Sequence, residues 1–127
     1  MLIAVYGSLR KGLHNHLIIE NATYLGKFDS LPEYSMYDLG SYPGLIKNGN
    51  TSIVLEVYRI NQKMLVDVDR LEGYNPSNTG RSHYLRDTID TPYGEAYIYI
   101  FPHKVGGYNQ VIDGDWEDYL KEKSYNK

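Results

Sequence analysis

The sequence predicts an α+β fold or a mixed barrel, in which strands dominate and short helices interrupt them. Three observations carry this reading. Apolar runs rich in Val, Ile, Leu and Tyr recur along the chain between Gly, Pro and Asn clusters. One clear helical period, at Met64, Leu65, Val68 and Leu71, separates two groups of such runs. Strands and helices do not alternate regularly, as they would around a parallel sheet. The 127 residues are read as a single domain, 1–127, with a flexible tail from about residue 120. At this size roughly two-thirds of the unfolded surface can be buried, enough for a core without staples.

Leu2 to Tyr6 is a short apolar run ended by Gly7-Ser8 and reads as a buried strand. Leu13, Leu17 and Ile18 fall at helical spacing between Gly12 and Asn21, which predicts a short helix. Thr23–Phe28 and Tyr34–Leu39 follow as strands. Ser41-Tyr42-Pro43-Gly44 is a turn by its Pro-Gly pair. Asn48-Gly49-Asn50 is a second turn signal and predicts a hairpin between Leu45-Ile46 and Ile53–Ile60. The central helix has Asn61 at the N-cap position and Gly73 just past its end. Asn75–Arg81, with Pro, Ser, Asn, Thr and Gly, is a loop. Tyr84–Ile89 and Glu95–Phe101 form a hairpin around Thr91-Pro92-Tyr93-Gly94, and Asp115–Glu122 is a final helix.

Composition narrows the function classes. Thirteen basic residues against sixteen acidic give a net charge of −3, which argues against a nucleic-acid binder and gives no support to an anionic membrane surface. No apolar segment reaches the ~18 residues that span a bilayer. The N-terminal run lacks a basic leader, so it reads as a first strand and the expected location is the cytoplasm. Cysteine is absent, which rules out disulfides, thiolate nucleophiles and cysteine metal sites. Fourteen tyrosines against two phenylalanines supply rings with a hydroxyl at the tip, suited to strands and to the walls of polar pockets.

Two constellations can carry chemistry. The first is Val5-Tyr6-Gly7-Ser8-Leu9-Arg10, a strand running into a Gly-Ser turn. Glycine permits close backbone approach, and successive turn N–H groups can cradle an anion. The same residues also fit a plain turn, and they match neither a P-loop nor a dinucleotide fingerprint. The second is Asp67 to Tyr74, with Glu72 at a helix end. Asp69 and Glu72 can share a face. A second carboxylate nearby, or partial burial, would raise the pKa of Glu72 and make it a better proton acceptor near neutrality, and the helix C-terminus would act in the same direction. An exposed charged helix end fits the same residues. His14 and His16, two apart, suit a strand face and do not form a metal pattern. A triad on Ser8 lacks the Gly-x-Ser-x-Gly elbow.

Taken together, these stretches resemble the gamma-glutamylcyclotransferase-like family, including its small bacterial and gamma-glutamylamine branches. The matching segments are Val5–Gly12 with Asn15-His16, Tyr37-Asp38-Leu39-Gly40, Tyr42-Pro43-Gly44 and Glu56-Val57-Tyr58. They continue through Val68–Tyr74, Tyr84-Leu85-Arg86 and Gly114-Asp115-Trp116, covering residues 2 to 116. The resemblance implies a compact mixed β-barrel with short flanking helices and a pocket at one end. It implies that Tyr6, Gly7, Ser8 and Leu9 hold a glutamyl head group, that Glu72 is the acid/base, and that Tyr84 is a pocket tyrosine. The implied reaction closes a gamma-glutamyl amide to 5-oxoproline and frees an amine. The substrate's own alpha-amine is then the nucleophile, so neither a cofactor nor a metal is required. The expected partner is a small molecule bearing a gamma-glutamyl group. Two other readings of the same residues remain: a binder that sequesters a small ligand in this pocket without turnover, and an interaction module using Tyr93, Tyr97 and Tyr99.

Overall fold

A computed structural model describes residues 1–125. In chain order the elements are β1 (Leu2–Val5), β2 (Thr23–Asp29), β3 (Tyr34–Asp38), β4 (Pro43–Lys47), β5 (Val54–Arg59), α1 (Gln62–Leu71), β6 (Leu85–Thr91), β7 (Gly94–Ile100), β8 (Asn109–Gln110) and α2 (Trp116–Tyr125). Single 3-10 turns lie at His16–Ile19 and Thr79–Arg81. The α+β class expected from the sequence is the class observed. The strands form a five-stranded sheet, in the order β2-β5-β1-β7-β6, and a three-stranded sheet, β4-β3-β8. These two sheets do not close into the single barrel that was expected. A hydrogen bond from Phe101 N to Leu45 O, 2.8 Å, joins them beside β4 and β7.

Period-two alternation sorts the side chains of the large sheet between two cores. Ala4, Tyr6, Leu55, Ala96 and Ile98 face the small sheet and pack with Met36, Leu45, Ile53 and Trp116. Ile3, Val5, Tyr58 and Tyr99 face the other way and pack with Leu65 and Val68 of α1 and with Ile19. β1 lies at the centre, antiparallel to β5 and parallel to β7. A strand covered on both faces must be apolar throughout, which explains the uninterrupted Leu-Ile-Ala-Val run. α1 starts where expected: the Asn61 side chain accepts from Met64 N at 2.8 Å. It stops at Gly73, whose φ of 65° places it in the left-handed region.

Several expectations are corrected. Pro43-Gly44 opens β4 rather than making a turn; the turn is at Leu39–Tyr42, closed by Leu39 N to Tyr42 O at 3.0 Å. A proline is tolerated there because β4 is an edge strand. β4 pairs with β3, not with β5. β5 is buried on both faces and is taken up between β1 and β2 in the other sheet. The helix expected over Leu13–Ile19 is only the 3-10 turn at its end, preceded by Gly12 at φ 87°. Residues 120–125, expected within the flexible tail, continue α2, while 126 and 127 lie outside the described residues. Tyr93, Tyr97 and Tyr99 form no common surface. Tyr99 is buried, Tyr97 lies beneath the Arg86 guanidinium, and Tyr93 lies against Gly26. Among the described residues no helix is long and apolar enough to cross a membrane.

The least predictable feature is a buried ionic hub. Arg10 is 3% exposed, and its Nε meets Glu56 Oε2 at 3.0 Å. Its Nη1 meets Asp115 Oδ1 at 2.8 Å and its Nη2 meets Glu117 Oε2 at 3.4 Å. Glu56 Oε1 also accepts from Lys11 N at 2.9 Å and from Tyr58 Oη at 2.8 Å. Asp115 caps α2, accepting from Glu117 N at 3.1 Å. The hub therefore ties the segment after β1 to β5 and to the start of α2. Removing one member of such a cluster leaves buried charge uncompensated, which costs about 3–5 kcal/mol. Arg10→Met is accordingly expected to lower unfolding stability by that amount in denaturant titration. Lys63→Met, which deletes an exposed pair with Asp67, should lower it by less than about 1 kcal/mol. Equal effects of the two variants would refute the hub's importance.

Candidate active site

β1 delivers its C-terminal end into a loop held by many short bonds. Arg10 N donates to Gly7 O, and Asn15 N donates to Ser8 O, each at 3.0 Å. Asn15 Nδ2 donates to Ser8 Oγ at 2.8 Å, and His16 Nδ1 lies 2.8 Å from Leu9 O. A Cβ at Gly7 would stand 2.9 Å from Pro43 Cγ, so the glycine is required by the close approach of β4. The N–H groups of Gly7, Ser8 and Leu9 have no acceptor among the described residues. Adjacent N–H groups left over in a turn form a concavity suited to a carboxylate or an oxyanion.

Glu72 reaches the same place from the other side of the large sheet. It is the C-cap residue of α1, between Leu71 and Gly73. Its N–H donates to Val68 O at 2.9 Å, and Tyr74 N closes the cap onto Asp69 O at 2.9 Å. Two further bonds clamp this corner to the segment before β6: His83 N to Gly73 O, 2.9 Å, and Tyr84 N to Glu72 O, 3.2 Å. The base of the Asn75–Arg81 loop is closed by Asn75 N to Ser82 Oγ at 2.8 Å. Tyr84 therefore lies beside Glu72 whatever the loop between them does. No side chain among the described residues hydrogen-bonds or ion-pairs the Glu72 carboxylate. Burial, and then the charge of Asp69, push its pKa up to about 7.

Between these two walls lies a cavity of about 430 Å³. The six residues that the resemblance implies for the site line it: Tyr6, Gly7, Ser8, Leu9, Glu72 and Tyr84. The two tyrosines do so with committed hydroxyls. Tyr6 Oη donates to Tyr99 O and Tyr84 Oη donates to Pro43 O, each at 2.6 Å. Burial raises the pKa of both, so both remain neutral phenols. The cavity also includes His14, Asn15, Ser41, Tyr42, His83 and Tyr99, which sequence reasoning missed as wall residues. For Asn15 the signal was present, because it stands in a segment that carries the family resemblance. His83 packs edge-on against Tyr42, Tyr84 and Phe101. Burial and the nearby His103 lower its pKa. Among the described residues no cluster of three or more His, Cys, Asp or Glu is placed to hold a metal.

The sequence profile of the gamma-glutamyl cyclotransferase, AIG2-like family matches residues 3–118. The chain belongs to this family. It is 41% identical over 118 residues to the gamma-glutamylcyclotransferase family protein YtfP of Escherichia coli, covering 93% of this chain and 97% of that protein. It is 30% identical over 122 residues to the gamma-L-glutamyl-butirosin B gamma-glutamyl cyclotransferase of Niallia circulans, covering 91% and 74%. The solution structure of E. coli YtfP superposes with a TM-score of 0.74 over 94% of this chain and 99% of that one, at 38% identity.

A carboxylate whose pKa is raised by the fold destabilises the folded state once it ionises. Its contribution is most favourable below the unfolded pKa of 4.5 and is lost as pH rises through about 7. That rise sets a ceiling of about 3 kcal/mol. Glu72→Gln should therefore be more stable than wild type at pH 8 by up to that amount. The gap should shrink steadily toward pH 4.5. A stability difference that does not change with pH would contradict the elevated carboxyl.

Proposed function

We propose that the protein cyclises a gamma-glutamyl amide to 5-oxoproline and releases an amine, with Glu72 as the general acid and base. The observation that carries this reading is a carboxyl group without a side-chain partner among the described residues, lining one cavity with the Gly7–Leu9 turn, whose N–H groups have no acceptor there; burial pushes the pKa of that carboxyl up to about 7. The family supplies the reaction class. The relative named for gamma-L-glutamyl-butirosin B supports cyclisation with an amine as leaving group.

The chemistry needs little from the protein beyond placement and proton movement. The alpha-nitrogen of the glutamyl group attacks the gamma-carbonyl carbon, forming the lactam C–N bond. The original amide C–N bond breaks and its electron pair leaves with the amine nitrogen. Glu72 takes the proton from the attacking ammonium and returns one to the departing nitrogen. Holding the glutamyl chain folded converts attack into a favoured five-membered ring closure. The N–H groups of Gly7, Ser8 and Leu9 receive the alpha-carboxylate or the developing oxyanion. Tyr6 and Tyr84 contribute ring surface and fixed walls, since their hydroxyl protons are engaged elsewhere. No cofactor enters the scheme.

The test is 5-oxoproline release from a panel of gamma-glutamyl amino acids, gamma-glutamyl alkylamines, gamma-glutamyl-epsilon-lysine and glutathione. Glu72→Gln should bind ligand but turn over at least ~100-fold more slowly. The kcat/KM of wild type should rise as pH increases through about 7, where Glu72 loses its proton. Saturable binding of panel members without any product would replace this reading with that of a ligand-sequestering protein.

A further inference from the structure

Asp69 stands three residues before Glu72, one turn back along the same side of α1. It is half-hidden and fully occupied. Arg86 Nη1 donates to Asp69 Oδ2 at 2.6 Å, and Tyr99 Oη donates to Asp69 Oδ1. Arg86 is itself gripped, its guanidinium carbon 5.0 Å from the Tyr74 ring centre and 4.6 Å from that of Tyr97. Tyr99, a wall residue of the cavity, also supplies through its carbonyl the acceptor for Tyr6 Oη. The Arg86 clamp therefore fixes a negative charge behind the cavity wall, next to a carboxyl that has no partner of its own.

We propose that Asp69, clamped by Arg86 and Tyr99, is a positioning residue that sets the protonation of Glu72. This rests on the role given to Glu72 above. His14 and Tyr42 line the same cavity from other loops, and the tyrosines nearest Glu72 carry no charge that could do the same. Tyr6 from the end of β1, Tyr84 from the approach to β6 and Tyr99 from β7 are all pushed above their usual range, chiefly by burial. They stay neutral through the working pH range. His83, beside Tyr84, is held below its usual range by burial and by His103. Asp69 is thus the fixed negative charge beside Glu72 at this corner, with Arg86 paired to it and Arg70 in the same helical turn. Its net effect is moderated by Arg86, which offsets much of its charge. Removing Asp69 should ease ionisation of Glu72, while removing Arg86 should leave Asp69 uncompensated and make it harder.

The experiment follows the Glu72 carboxyl directly, by carbon-13 NMR titration of protein labelled at glutamate, in wild type, Asp69→Asn and Arg86→Met. Methionine keeps an unbranched stem between Tyr74 and Tyr97. Asp69→Asn is expected to lower the midpoint by about half a pH unit or more, and Arg86→Met to raise it. A downward shift in Asp69→Asn that is absent or reversed in Arg86→Met supports the proposal. No shift in Asp69→Asn overturns it. Shifts of the same sign in both variants also overturn it, because that is the signature of a loosened wall. The readout needs no turnover. If the protein is inactive but the carboxyl moves as stated, the cyclisation reading fails and this one survives. If the acid limb of kcat/KM is unmoved in an active Asp69→Asn enzyme, the reverse holds.

Discussion

The buried Arg10 guanidinium is the constraint on which the rest of the molecule depends. It lies one residue after the loop that forms one wall of the cavity. A guanidinium presents its donors in a rigid plane, so its partners fix its orientation as well as its position. Glu56 comes from β5, and Asp115 and Glu117 come from the start of α2. Three segments far apart in sequence thus meet at one side chain. The Gly7–Leu9 loop cannot swing without breaking contact with the centre of the large sheet and with the cap of α2. Charge burial of this kind adds little net stability over an apolar core, but it makes the alternative arrangements costly. It specifies where the loop lies more than it strengthens the fold.

The opposite wall is built on the reverse principle. Glu72 sits at the C-terminal end of α1, where the helix dipole disfavours a negative charge, and no described cation forms an ion pair with it. Nothing local stabilises its ionised form. The glycine cap, the bonds to His83 and Tyr84, and the packing of Leu65 and Val68 hold it there against that penalty. One face of the cavity is therefore over-determined by paired charges, and the other carries a charge the fold strains to keep. The difference in environment sets the difference in behaviour: Glu56 is consumed by structure, while Glu72 is left available.

Much of this was legible in the sequence, and the failures have physical causes. β1, β5, α1 and the β6–β7 hairpin were readable because their patterns are local: an apolar run, a 3.6-residue period, Asn61 and Gly73 at helix ends, Pro92 in a tight turn. Glu72 and the Gly7-Ser8 turn could be nominated because their chemistry is also local. Strand partners could not, since β5 and β4 look equally suited to a hairpin across Asn48–Asn50. The decision lies in burial on both faces of β5, which depends on distant residues. β8 is two residues long and exists only because β3 offers an edge. Nothing local to Arg10 signals that it is buried. Its partners lie 46 and 105 positions away, beyond any window of periodicity. His14, Ser41, Tyr42 and His83 were missed as wall residues because they come from three separate loops.

The tyrosine excess takes on a specific meaning in this setting. Tyr6 donates to Tyr99 O, Tyr58 to Glu56, Tyr84 to Pro43 O, Tyr99 to Asp69 and Tyr119 to Asp38. Phenylalanine would fill the same volumes but leave those acceptors unmet, at roughly 1–3 kcal/mol for each buried group. The hydroxyls thus satisfy the polar interior from within, and the cavity wall loses those of Tyr6, Tyr84 and Tyr99 to that task. Among the described lining residues, the polar groups without a partner are the backbone N–H groups of the Gly7–Leu9 loop, the carboxyl of Glu72, the hydroxyls of Ser41 and Tyr42 and the His83 ring. A ligand that completes this wall must bring an acceptor of negative charge to the loop and a proton donor to Glu72. An amino acid head group, with carboxylate and ammonium on one carbon, brings both. Tyr6, Tyr84 and Tyr99 therefore act on specificity indirectly, by withholding their own hydroxyls from a ligand.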